Sequence, residues 1–178
     1  MALRKALSYS KMHTRPYTRK SKVKSKSYIK TIPQQKIVKF RMGDIKGYET
    51  GKLKNIVKLV AGEDILIRDN SLEASRQYIN AQLEKNLPGE FYFEVSVFPH
   101  HILRENKMLT GAGSDRMQTG MAHSFGSTQG RAAIVKSGQD IFLVALFHER
   151  SRKLVSKVFG SIKAKLPCHA RLAFEKRQ

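Results

Sequence analysis

His100, His101 and Glu105, in the stretch FPHHILRE, and the adjoining pair Cys168-His169 are the residues of this chain whose types and spacing point to chemistry. The first three are potential metal ligands, and the pair resembles a nucleophile with its base. Both sets are incomplete, because a metal site needs third and fourth ligands and a thiolate needs a base that is itself oriented. Histidines at the end of a strand in a basic chain more often stack on, or hydrogen-bond to, a partner or the local backbone. With Cys168 as the single cysteine, an internal disulfide and a multi-thiolate zinc site are excluded. GAGSDR (111–116) begins like a dinucleotide fingerprint, but Arg116 stands where the third glycine belongs, and no phosphate-cradling GxxxxGK[ST] occurs. Asp115 is suited to pinning its loop through Arg116 or backbone N–H groups. No metal, cofactor or catalytic residue is expected.

Charge points elsewhere. The 178 residues carry 34 Lys and Arg against 14 Asp and Glu, a formal net charge of +20, far beyond what solubility requires. Such a chain seeks polyanions. Thirteen of the 34 cations fall within residues 1–41, which hold no acid. There Arg4, Lys5, Lys11, Arg15, Arg19, Lys20, Lys22, Lys24 and Lys26 interleave with Tyr9 and Tyr17, the pattern of an arm that follows phosphates with cations and stacks tyrosines on bases or sugars. A solubilising tail or a targeting peptide has similar composition. No run approaches a transmembrane length, and residues 1–30 lack the apolar centre of a secretory signal, so a cytoplasmic location is expected, with no membrane partner.

The elements that must position these groups follow from periodicity. Residues 36–41, 55–60 and 63–68 are short β-branched runs that predict strands. Asn70 predicts a helix cap, with Glu73 in capping-box position and Leu72, Tyr78, Ile79 and Leu83 forming an apolar stripe that ends at Leu87-Pro88-Gly89. FYFEVSV (91–97) alternates as a half-buried strand. Residues 131–136 and 140–147 predict two more strands. A helix over about 150–165 places Val155, Val158, Phe159, Ile162 and Leu166 at helical spacing, and 168–175 alternates again. Two strand-helix-strand units, each with a helix able to cover one side of a sheet, imply an α+β two-layer sandwich. The expected organisation is a basic N-terminal arm, 1–35, and a single α+β domain, 36–178, carrying an internal loop over 105–130.

That loop fits no element. Residues 107–132 hold five of twelve glycines and three of six methionines. Glycines allow close backbone approach, Arg104, Lys107, Arg116 and Arg131 supply spaced phosphate partners, and Met108, Met117, Met121 and Phe125 add soft apolar contacts. It reads as a probe of a crowded surface; a mobile loop without consequence has the same composition.

FPHHILRENKM (98–108), GAGSDRMQTGM (111–121), SFG (124–126) and GRAAIV (130–135), with RPYTR (15–19), IPQQKIVKFRMG (32–43), NSLEASR (70–76) and KLP (165–167), closely resemble the universal large-subunit ribosomal protein family L-sixteen, in its archaeal and eukaryotic L-ten-e branch. The resemblance covers nearly the whole chain. It implies an α/β-hammerhead type of α+β fold and no enzymatic activity. It further implies a place on large-subunit rRNA, with 5S rRNA, neighbouring large-subunit proteins and assembly factors around it, and an internal loop directed toward the peptidyl transferase region and the A- and P-site tRNAs. By motif position Arg104, Asn106, Lys107, Arg116 and glycines Gly111, Gly113 and Gly120 belong to that loop, and Arg15, Tyr17 and Arg19 to the RNA-embedded arm.

The chain departs from the family pattern where GMRxAFGKP would stand. Here His123 follows Ala122, and Ser127-Thr128 closes the stretch, so about two cations are absent and the distal half of the loop should hold RNA less tightly. An RNA-modifying enzyme and a chromatin-like DNA binder are the competing classes. No cofactor loop or acid-base cluster supports the first, and no helix shows the dense basic face that major-groove entry requires of the second.

Overall fold

The computed structural model describes Tyr9, residues 29–105 and residues 126–177. Eight strands and three helices follow in the order β1 (Arg41–Gly43), α1 (Ile45–Glu49), β2 (Asn55–Ala61), β3 (Ile65–Arg68), α2 (Asp69–Asn86), β4 (Phe91–Val95), β5 (His101–Glu105), β6 (Ser127–Val135), β7 (Asp140–Leu146), α3 (Arg152–Ile162) and β8 (Ala170–Lys176). They form an α+β fold with two antiparallel sheets, one ordered β1-β4-β7-β2-β8 and the other β3-β6-β5.

Register sets the core. Val57 and Leu59 of β2 lie opposite Val144 and Phe142 of β7, which lie opposite Phe93 and Val95 of β4. Cross-strand partners share a face, so these side chains make one apolar surface. Leu72, Ile79 and Leu83 of α2 and Val155, Val158, Phe159 and Ile162 of α3 are buried in the same cluster, with Ile65, Ile67, Ala133 and Val135 of the smaller sheet. Each such side chain contributes roughly 1.5–3 kcal/mol on full burial. Short 3-10 turns at Glu149–Ser151 and Lys163–Lys165 flank α3, so the helical span expected there is present but regular only at its centre.

Several expectations are corrected. Only Arg41 of the 36–41 run lies in a strand. The backbone of Lys36 and of Val38 lies close enough to the carboxyls of Asp69 and Glu73 to favour their ionised forms. The run meets the sheet at its end, where the Phe40 carbonyl accepts from Val95 of β4 at 2.9 Å and Arg41 enters β1. Asn70 is not the cap: α2 starts at Asp69 behind Arg68, with no side-chain cap bond. Glu73 is engaged instead by Arg76, at 2.6 and 2.7 Å, and by Gln77.

Strand β4 is not half-buried. Tyr92, on the face away from the core, is 1 % exposed, because Tyr48 of the unanticipated α1 stacks on it at 4.2 Å and 7°. The 107–132 stretch is also not wholly irregular. Strand β6 starts at Ser127 and pairs with β5, a strand that carries no periodic pattern of its own.

Candidate nucleic-acid interface

Strands β5 and β6 are an antiparallel pair whose ladder runs from His101↔Ala132 to Glu105↔Ser127, with an irregularity between Leu103 and Arg104. Residues 105 and 127, which flank the loop, therefore face each other at the end of a two-stranded ribbon. Its root is tied on both sides. The Nε and Nη2 atoms of Arg104 donate to the Gly126 carbonyl, each at 3.2 Å, and the Tyr9 hydroxyl donates to the Arg104 carbonyl at 2.6 Å. Tyr9 packs on Leu66, Leu103 and Ala132 of the smaller sheet. Burial, reinforced by Glu105, pushes its phenol pKa up against the opposing charge of Arg104, which keeps the proton that makes this bond.

Arg131 sits in β6, opposite Ile102, rather than on an open loop. Its Nε donates to the Pro33 carbonyl at 2.7 Å. With Ile29 buried, this bond fastens the chain leading in from the arm to the smaller sheet. Both described loop cations, Arg104 and Arg131, thus hold backbone carbonyls, and each leaves further N–H groups for other acceptors. The other candidate arm residues, Arg4 to Lys26 apart from Tyr9, and the loop residues Asn106, Lys107, Gly111, Gly113, Arg116, Gly120 and His123 lie outside the described residues.

The alternatives drawn around histidine and cysteine do not assemble. His101 is buried in β5 opposite Ala132, whereas its neighbour His100 is exposed and lies against Phe98. Glu105 is at the far end of the strand. Among the described residues no three His, Cys, Asp or Glu side chains gather closely enough to hold a metal ion. Cys168 is buried, and burial pushes its thiol pKa up, the opposite of what a nucleophile needs. The His169 backbone N–H donates to Glu63 and its carbonyl accepts from Gly62, a structural arrangement. No described helix is long and apolar enough to cross a membrane.

A model of the ribosomal protein L16p/L10e family matches residues 12–173. The chain belongs to this family. It is 39% identical to the large ribosomal subunit protein uL16 of Thermofilum pendens across 100% of both chains. Against uL16 of Methanococcus maripaludis strain C5 the identity is 43%, covering 84% of this chain and 82% of that one. Against uL16 of Staphylothermus marinus it is 38%, over 98% and 95%. Members of the L16p/L10e family are structural, non-enzymatic ribosomal components. Sequence reasoning placed Arg104 and Arg131 at the loop but missed that both are occupied by carbonyls. It also missed that Asp69 and Glu73 lie beside the backbone of the entering chain. The signal available was the i,i+4 spacing of these two acids, after an acid-free run.

Proposed function

We propose that this L16p/L10e member is a structural constituent of the large ribosomal subunit that binds large-subunit rRNA. The arm, 1–35, follows RNA phosphates, and the domain, 36–178, of α/β-hammerhead type, carries the loop 105–130 toward the peptidyl transferase region and the A- and P-site tRNAs. Its site is the cytoplasmic ribosome. Its neighbours there are 5S rRNA, other large-subunit proteins and factors of late subunit assembly. The observation that carries the reading is the bond from Tyr9 to Arg104, which joins the arm to the loop root on one sheet. An arm held by RNA thereby aims the loop, supporting tRNA positioning and subunit assembly during translation.

Gradient sedimentation of lysates tests it: the chain should travel with the large subunit at moderate salt, and a chain that stays at the top would sink the reading. Isolated chain should lose roughly 10³ to 10⁵-fold of its RNA affinity between 50 and 200 mM salt if 6–10 phosphates are neutralised. Particles carrying a loop shortened between Gly111 and Gly126 should retain the protein yet translate poorly.

A further inference from the structure

We propose that the recess between the 3-10 turn Lys163–Lys165 and the start of β8 receives an unpaired guanine base of RNA, with the Glu63 carboxylate on the donor edge of the base and Lys163 on its phosphate. The proposal rests on the rRNA-binding reading and gives it a base-specific contact. The recess measures about 600 Å³, inside the roughly 300–1,000 Å³ of small-ligand sites. Leu166, Cys168 and Ala170, all buried, form its apolar wall, and Glu63, Lys163 and His169 line the same space.

Backbone bonds build these walls. The Gly62 N–H donates to the His169 carbonyl at 2.8 Å, and the His169 N–H donates to Oε1 of Glu63 at 3.0 Å. A β-carbon at Gly62 would lie 2.9 Å from the His169 carbonyl oxygen, so glycine there lets the two segments close. On the other side the Leu166 N–H donates to the Lys163 carbonyl at 3.3 Å, and Pro167 bars the helix from continuing. Burial, and then the charge of Glu63, push the Cys168 thiol pKa up, which sets that carboxylate beside the apolar wall. The recess is therefore formed before a ligand arrives, which lowers the entropic cost of binding.

Opposite charges in one recess narrow the occupant. Glu63 repels a bare anion and Lys163 repels a cation. A nucleotide carries a neutral base with donors and, joined to it, a phosphate. A carboxylate only accepts, and its two oxygens have room for about four hydrogen bonds, so the bond from His169 leaves capacity for a base. Guanine presents N1–H and N2–H₂ side by side, whereas adenine, cytosine and uracil each set an acceptor beside their donor. Pairing consumes that edge, so the base must be unpaired. The setting suits RNA as well: from Arg150 to Arg177 nine Lys and Arg stand against the single acid Glu175. Lys163 is exposed and lines the recess itself, while Lys165 turns to the Tyr78 ring at 4.5 Å.

The test uses the full chain and RNA hairpins of one stem whose loop carries a single unpaired guanosine, inosine or adenosine, with a fourth probe in which the guanosine is paired. Inosine keeps N1–H and lacks the 2-amino group. Affinity should fall in the order guanosine, inosine, adenosine, with roughly 5- to 100-fold between the first and last, and pairing should remove the advantage. Glu63→Gln should bring the three unpaired probes together. Lys163→Ala should weaken all three alike and lower the salt slope by about one, with the preference kept. Circular dichroism checks the fold; if Glu63→Gln disturbs it, the order of the wild-type affinities and the exposed Lys163 decide. A preference that survives Glu63→Gln in a folded chain overturns the recess, as does a salt slope that ignores Lys163→Ala. Poorer incorporation of Glu63→Gln into particles with hairpin affinities unchanged also overturns it and assigns the recess to a protein neighbour. Wild-type chain that binds every hairpin equally overturns the recess and leaves the rRNA reading standing, whereas a chain that binds none removes both.

Discussion

The Tyr9 hydroxyl reaches the main-chain carbonyl of Arg104 at 2.6 Å across a sequence separation of 95 residues. The same Arg104 turns its guanidinium to the Gly126 carbonyl, so one residue receives the arm on its backbone and closes the loop root with its side chain. Tyr9→Phe keeps the ring on Leu66, Leu103 and Ala132 but removes the donor. The expected cost is about 0.5–1.5 kcal/mol, felt locally. Hydrogen exchange should quicken at 126–128 while the exchange of β2 and β7 stays the same; equal protection throughout would show that the bond contributes nothing.

Family-like cations restored at the root should have opposite effects at adjacent positions. Ser127 lies opposite Glu105 and Thr128 opposite Arg104. Ser127→Lys places unlike charges across the ladder and Thr128→Lys places like charges there, each worth roughly 0.2–1 kcal/mol. Thermal unfolding should therefore rank Ser127→Lys above Thr128→Lys. The reverse order would contradict this register.

Acid should act on α2 in two directions. Hydrogen bonds from Arg76 hold the Glu73 carboxyl below its ordinary pKa, against the effect of burial, and the Arg76 and Glu73 side chains are each only 11% exposed. Stability from Glu73 is complete above an unfolded value of about 4.3 and is lost as pH falls through its lower folded value. Asp69 has the opposite sign: burial raises its pKa, so its ionisation costs stability at neutral pH and the cost fades as pH falls through the folded value. Glu73→Gln should lose about 1–3 kcal/mol at pH 7, and progressively less as pH falls through the lowered pKa of Glu73. Asp69→Asn should gain on wild type as pH rises from 4 to 7. Urea titrations across that range provide the check, and parallel pH profiles for the two variants would refute the assignment.

Glycine is required at Gly43 for two reasons, and at Gly138 for one. Both have positive φ, +85° and +83°. A β-carbon at Gly43 would run into the Phe91 carbonyl, whereas at Gly138 it would meet open space. Gly138→Ala should cost about 1 kcal/mol of backbone strain, and Gly43→Ala more than twice that, since the obstacle is sheet backbone. Matched denaturation curves for the two variants would argue against the close approach of β1 and β4.

Sequence by itself determined the α+β class, the cores of β2, β4, β7 and β8, and the apolar stripes of α2 and α3. Those signals are local: a period of two or of 3.6 is carried by neighbouring residues whichever element they later meet. It also determined the family, through motifs spread along the chain. Tertiary structure alone decided that the run from Lys36 joins the sheet at its end, where the Phe40 carbonyl accepts from Val95, because that partner arrives from β4. It alone decided that Tyr92 is covered, because Tyr48 arrives from another element. And it decided that His101 to Glu105 and Ser127 to Gly130 are strands, because a ladder is a property of two segments and neither carries the pattern alone. The roles of Tyr9, Arg104 and Arg131 belong to this second group: composition marks a cation or a phenol as able to meet phosphate or a base, but only the packed sheet brings a carbonyl within its reach.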